Sequence, residues 1–163
     1  MIEIRPAGEA DGESLCRIYN HYIAETVVTF EEQPLAAAQM AARLQEIASA
    51  SLPWLIAVQG AEVLGYAYAS AWKGRCAYRY STEVSVYLRA DSGGRGIGSA
   101  LYRELLALLK ARGLHVAIGG IALPNAASVA LHEKFGFEKI GQFSQVGFKF
   151  GRWIDVGYWQ KVL

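Results

Sequence analysis

The run Gly93-Gly94-Arg95-Gly96-Ile97-Gly98, with Ser99 behind it, is the stretch of the chain best suited to chemistry. It follows the alternating segment Val84-Ser85-Val86-Tyr87-Leu88 and leads into an amphipathic helix. A glycine-rich turn at a helix N-terminus aims several unpaired backbone N–H groups and the positive end of the helix dipole at one point, which suits a pyrophosphate. An ordinary tight connection is the alternative reading of such a turn. No Gly-Lys-Ser/Thr follows, so this is not a Walker loop, and a dinucleotide fingerprint would need an acid about 20 residues on, where Leu114 to Ala122 has none. Just upstream, Lys73 to Thr82 carries three cations (Lys73, Arg75, Arg79) and two tyrosines (Tyr78, Tyr80). Guanidinium forks suit a carboxylate, so this loop reads either as the lip of a pocket for a small zwitterion or as a solvated basic loop.

These groups must be held by the elements around them. Ile2 to Arg5 reads as a short strand. Asp11 is a plausible N-cap for a helix whose stripe is Leu15, Ile18, Tyr19, Tyr22 and Ile23, and Pro34 suits the first turn of a second helix facing inward with Met40, Leu44 and Ile47. Trp54 to Val58 and Val63 to Ala71 form an expected hairpin, and Glu83 to Leu88 a strand with Glu83 on the face opposite Val84, Val86 and Leu88. The helix after the glycines runs to about Arg112 with Ile97, Leu101, Leu105, Leu108 and Leu109 on one side. His115 to Ala122 reads as a buried strand, Asn125 as the N-cap of a helix to about Lys134, and Phe137 to Leu163 as a hairpin with Gly151 at its tip. The order βααβββαβαββ gives the class α+β, or mixed α/β, in one domain over residues 1–163.

Composition narrows the function. Hydrophobic residues make up 53%, and 16 Lys+Arg stand against 15 Asp+Glu, so the chain should fold around a large core and carries no basic stripe for nucleic acid. No apolar stretch approaches a membrane span, and Met1 to Pro6 does not read as a secretory leader, so a cytoplasmic protein without a membrane partner is expected. Cys16 and Cys76, without CxxC or Cys/His clustering, indicate neither a disulfide framework nor a metal site.

The glycine turn resembles motif A of the GNAT-type N-acetyltransferases, whose pattern Q/R-x-x-G-x-G/A cradles the pyrophosphate of acetyl-CoA, with Gly93, Gly96 and Gly98 at the matching positions. Gly93 departs from the usual Gln or Arg, and Arg95 could supply a cation instead. A second block, Leu123-Pro124-Asn125-x-x-Ser128-x-x-Leu131-His132-Glu133-Lys134-Phe135-Gly136-Phe137, resembles the family's motif B, where Asn commonly contacts the CoA arm. Many members have Tyr, the acid for the departing thiolate, where this chain has His132. That histidine, Ala77-Tyr78 ahead of Glu83, and the tail from Gly147 to Gln160 are similar to the phosphinothricin and methionine-sulfoximine N-acetyltransferase subgroup. The resemblance implies a mostly antiparallel twisted sheet flanked by about four helices, with acetyl-CoA at the splay after the fourth strand. It also implies cofactor contacts from Val86, Tyr87, Leu88, Gly93 to Ser99, Asn125 and Ser128.

Acetyl transfer needs a bound thioester, a nucleophilic amine and a proton source for sulfur. An α-amino group, with a reference pKa of about 7.7 to 8.0, is mostly protonated at neutral pH, so a base helps. Glu83 is the candidate, directly or through water, and His132 the candidate acid. Phe30, Arg75, Tyr78, Arg79 and Thr82 are the expected substrate contacts. Trp153, Tyr158 and Trp159 could be core, pocket wall or dimer surface, and a homodimer is expected. The expected reaction is direct transfer to the α-amine of phosphinothricin, methionine sulfoximine or methionine sulfone. The rivals are another amine, such as a protein N-terminus or a polyamine, and a non-catalytic CoA-binding sensor.

Overall fold

A computed structural model describes residues 1–163. The elements are β1 (Glu3–Pro6), α1 (Gly12–Glu25), α2 (Ala37–Ser49), β2 (Trp54–Gln59), β3 (Glu62–Ala71), β4 (Ser81–Leu88), α3 (Ile97–Ala111), β5 (Val116–Ala122), α4 (Ala126–Lys134), β6 (Glu138–Lys149) and β7 (Arg152–Val162). Their order is the one the periodicity predicts. One seven-stranded sheet has the order β1-β2-β3-β4-β5-β7-β6, and β4 with β5 is its parallel pair.

The two faces of the sheet bury two cores. On one, Leu101, Tyr102, Leu105 and Leu109 of α3 pack on Leu55, Ala57, Leu64, Ala67 and Val84. On the other, Leu15, Ile18, Tyr19 and Ile23 of α1 and Met40 and Leu44 of α2 pack on Ile56, Val58 and Tyr66. Each fully buried aliphatic side chain contributes roughly 1.5–3 kcal/mol. These contacts fix α3, and with it the glycine turn, against the sheet.

Two helix starts differ from expectation. Asp11 does not cap α1: its carboxylate accepts the Gly8 N–H at 2.8 Å and pairs with Arg5 at 2.8 Å, tying β1 to the helix entry. Pro34 does not open α2, which begins at Ala37, because Asn20 holds the Leu35 backbone through both N–H (2.8 Å) and C=O (2.9 Å) in an extended stretch. Asn125 does cap α4, its Oδ1 accepting the Ser128 N–H at 3.2 Å. Gly151, at φ +72°, turns the β6–β7 hairpin.

Candidate active site

The site begins where two strands part. β4 and β5 pair at Ser81–Val116, Thr82–Ala117 and Glu83–Ile118, and then separate. The edge of β4 from Val84 to Leu88 is therefore unpaired by any strand on that side; the Leu88 carbonyl accepts from the Tyr22 hydroxyl at 2.7 Å, and the other outward N–H and C=O groups need partners from elsewhere. Directly after it, Gly94 (φ +74°) and Gly96 (φ +76°) adopt left-handed conformations that turn the chain into α3. No backbone N–H from Gly93 through Ser99 donates to an acceptor within the protein. A Cβ on Gly93, Gly94 or Gly96 would meet nothing within 4 Å, so the concave side of the turn is open. An open turn of free backbone N–H groups suits an anion.

Side chains add to the cradle differently from expectation. Arg95 turns to Gln59, its Nη2 donating to Oε1 at 2.8 Å. Lys134, at the end of α4, places its Nζ 2.9 Å from the Ser99 hydroxyl and so brings a cation to the start of α3. Lys134 was legible in the sequence only as a basic residue in the last turn of the motif B helix.

Glu83 lies on the α1 side of the sheet and lines a cavity of about 420 Å³ with Val28, Phe30, Ser85, Tyr87, Val146 and Tyr158. Burial raises its carboxyl above the ordinary value of 4.5, which moves it toward the range of a useful base. Phe30 packs its ring on Gly147 of β6, where a side chain would collide with it. Tyr158 packs edge-on against Trp72, so aromatic rings wall one side of the cavity.

His132 sits across the splay in a narrower slot, lined also by Val84, Val86, Tyr87, Tyr102, Asn125 and Ser128. It is 3% exposed. Its Nδ1 donates to the Ser128 carbonyl at 2.7 Å and its Nε2 meets the Tyr102 hydroxyl at 2.9 Å. Burial pushes its pKa below the ordinary 6.5, against a smaller opposing pull from the Ser128 carbonyl, and so favours the neutral ring.

The structure brings Glu83 and Phe30 together, and His132, Asn125, Ser128, Val86 and Tyr87 together around the splay between β4 and β5. It does not bring the basic loop to them. Arg75, Tyr78, Arg79 and Thr82 line a separate cavity of about 710 Å³ with Lys73 and Arg112. Thr82 is the neighbour of Glu83 in β4, so its side chain falls on the opposite face, 1% exposed, with Oγ1 donating to the Val116 carbonyl at 3.2 Å. The expected substrate contact from Thr82 is thus replaced by a structural hydrogen bond. Ile97 and Gly98 are buried at the base of the cradle, and Gly98 abuts Leu131 of α4.

The fold and the open glycine turn suit an acyl-CoA-dependent transferase, and comparison with known proteins gives the family. Residues 4–157 match the acetyltransferase (GNAT) domain family. The chain is 38% identical over 176 residues to phosphinothricin N-acetyltransferase of Streptomyces coelicolor, covering 99% of this chain and 96% of that protein. It is 41% identical over 158 residues to the L-methionine sulfoximine/L-methionine sulfone acetyltransferase of Pseudomonas aeruginosa, covering 96% of this chain and 92% of that protein. The crystal structure of a phosphinothricin acetyltransferase from Sinorhizobium meliloti in complex with acetyl-CoA superimposes with a TM-score of 0.96 at 39% identity, covering 99% of this chain and 88% of that one. The chain belongs to the GNAT acetyltransferase family. It is an N-acetyltransferase, and the mixed α/β architecture expected from its sequence is the one it adopts.

Proposed function

We propose that this enzyme transfers the acetyl group of acetyl-CoA directly to the α-amino group of a small amino-acid analogue such as phosphinothricin, methionine sulfoximine or methionine sulfone. The observation that carries the reading is the run of partnerless N–H groups from Gly93 to Ser99, continuous with the unpaired edge of β4 and leading to Glu83. The cradle fits a pyrophosphate, and the free edge of β4 at Val86 and Leu88 offers backbone groups to the amides of a pantetheine arm, while Tyr87 turns its backbone to β3 and the Leu88 carbonyl accepts from the Tyr22 hydroxyl at 2.7 Å. Lys134 and the N-terminus of α3 add positive charge there. Bound acetyl-CoA supplies an activated acyl group at the splay.

Glu83 takes a proton from the incoming ammonium, directly or through water, in a cavity large enough for a small amino acid. Val28, Phe30, Val146 and Tyr158 give that cavity apolar walls for the methyl-bearing part of the substrate. Lys73, Arg75 and Arg79 precede Glu83 in the chain and raise the positive potential around it, which favours an anionic amino acid over a polycation. The relatives named for phosphinothricin and methionine sulfoximine support this substrate class. The test is coenzyme A release with a panel of amines. Turnover with the amino-acid analogues supports the reading, and turnover confined to a peptide N-terminus or polyamine overturns it.

The protein acts as a homodimer in this reading, in the cytoplasm, where acetyl-CoA is available. Edge strand β6 and its partner β7 expose Ile140, Phe143, Val146, Phe148 and Trp153, each more than half accessible. An exposed apolar edge is a ready template for pairing, and a two-fold dimer would use this same patch on both copies. Sedimentation equilibrium checks it, and a monomer at micromolar concentration overturns it. No helix is long and apolar enough to cross a membrane.

A further inference from the structure

Tyr102, from the first half of α3, is fully buried, yet it lines the slot between β4 and β5 beside His132. The two rings meet edge to face at 5.1 Å, with the Tyr102 hydroxyl 2.9 Å from His132 Nε2. On the other side of the imidazole, Nδ1 lies 2.7 Å from the Ser128 carbonyl. A carbonyl oxygen only accepts, so Nδ1 carries the hydrogen. The lone pair of the neutral ring is then on Nε2, and the Tyr102 hydroxyl donates to it. Gly119 of β5 passes so close beneath the ring that a Cβ there would lie 2.5 Å from Nε2. Three neighbours therefore hold the imidazole in one orientation and one tautomer, in which Nε2 has no proton to give.

We propose that Tyr102 is a further proton-handling residue of the transfer reaction, with His132 held behind it as the Nδ1-protonated tautomer. The proposal rests on the acetyl-transfer reading above and reassigns the acid role expected of His132. Glu83 removes the first proton of the substrate ammonium and passes it to water. As the new C–N bond forms, the nitrogen must lose a second proton. That N–H bond breaks, the Tyr102 oxygen takes the proton, and the proton already on that oxygen moves to Nε2. When the C–S bond breaks, its electron pair stays on sulfur. The Tyr102 hydroxyl then protonates the sulfur and recovers the proton from Nε2. Tyr102 and His132 end as they began, with the second proton of the amine on the thiol and no outside acid required.

The first test is long-range 1H–15N correlation of the histidine rings in the wild-type enzyme without substrate at neutral pH. His132 is expected as the Nδ1-protonated tautomer, and an Nε2-protonated ring or an imidazolium overturns the proposal. This readout needs no turnover, so its failure is distinct from failure of the amine panel, and it stands even where a variant does not fold. The second test is kinetic. Tyr102→Phe should lower kcat at least about 10²-fold, the scale of a lost proton donor, with the KM for acetyl-CoA unchanged. His132→Gln should show the same loss, and the double variant should lose no more, since the two act as one unit. A Tyr102→Phe enzyme of wild-type kcat, or losses that multiply in the double variant, overturns it.

Discussion

Gly119 lies directly beneath the imidazole of His132, and the place a Cβ would take is 2.5 Å from Nε2 and 2.7 Å from Cδ2. The glycine is buried in β5, and its neighbour Gly120 makes the same kind of room for Tyr158 on the opposite face. Two adjacent glycines thus thin the strand on both sides at the level of the splay. Gly119→Ala should displace the ring from Tyr102 and Ser128 and lower kcat about tenfold or more, with a smaller change in the KM for acetyl-CoA. Steady-state kinetics on a variant with wild-type far-ultraviolet circular dichroism checks this. Unchanged kcat would mean that the ring position is not used in the reaction.

The cradle can be separated from backbone strain by a matched pair of substitutions. Gly96 and Gly113 both have positive φ, +76° and +82°, and a Cβ on either meets nothing within 4 Å. Alanine at either position should cost stability by a similar amount, about 1–2 kcal/mol for a left-handed non-glycine residue. Only Gly96 faces the open turn ahead of α3, while Gly113 closes the far end of the same helix. Gly96→Ala should therefore raise the KM for acetyl-CoA several-fold and Gly113→Ala should leave it alone. Equal KM values for the two variants would remove the ligand from the explanation.

Glu83 combines a chemical and a stability effect of defined sign. Burial raises its folded-state pKa above 4.5, so ionising it costs the folded protein more than the unfolded chain. That cost is absent well below 4.5, grows as pH rises from there toward the folded value, and is constant above it. Glu83→Gln, always neutral, should melt higher than the wild type at neutral pH, and the difference should vanish in acid. The same substitution should lower kcat by roughly 10² at neutral pH, with the loss shrinking as alkaline pH frees more amine without help. Thermal melts at neutral and acidic pH and a kcat profile test both arms. A variant that keeps full kcat at neutral pH would assign Glu83 to structure.

How much of this was legible in the sequence depended on whether the partners were local. The capping of α4 by Asn125 and the conformation of the glycine turn are set within a few residues, and they read directly. Asp11 carries the N-cap residue type, but its carboxylate is taken by Arg5 on β1, a competition that no local pattern reveals. Tyr102 stands three residues before Leu105 and seven before Leu109, so its inward position was available from the helical period. Its pairing with His132, 30 residues away, was not. Likewise, strand alternation separates Thr82 from Glu83, but the cavity that gathers Arg75 and Arg79 with Arg112 of the α3 end depends on tertiary packing.

That separation makes a prediction about the arginines. Arg75 and Arg79 line a different cavity from Glu83, and the Arg79 guanidinium stacks on Tyr80 at 4.5 Å while donating to the Cys76 carbonyl. A guanidinium in direct contact with the substrate carboxylate would contribute about 1.5–3 kcal/mol, roughly a tenfold or larger rise in KM on removal. A charge acting through the field alone gives less, and salt screens it beyond about 10 Å at 0.1 M. Arg75→Ala and Arg79→Ala should each raise the KM for the amino-acid analogue only a few-fold at low ionic strength. The difference from wild type should disappear in high salt, with the KM for acetyl-CoA unchanged throughout. Lysine at either position should restore the wild-type value, since a field needs charge and not a fork. A rise of tenfold or more that survives salt and resists rescue by lysine would move the loop into contact with the substrate, against the two-cavity arrangement.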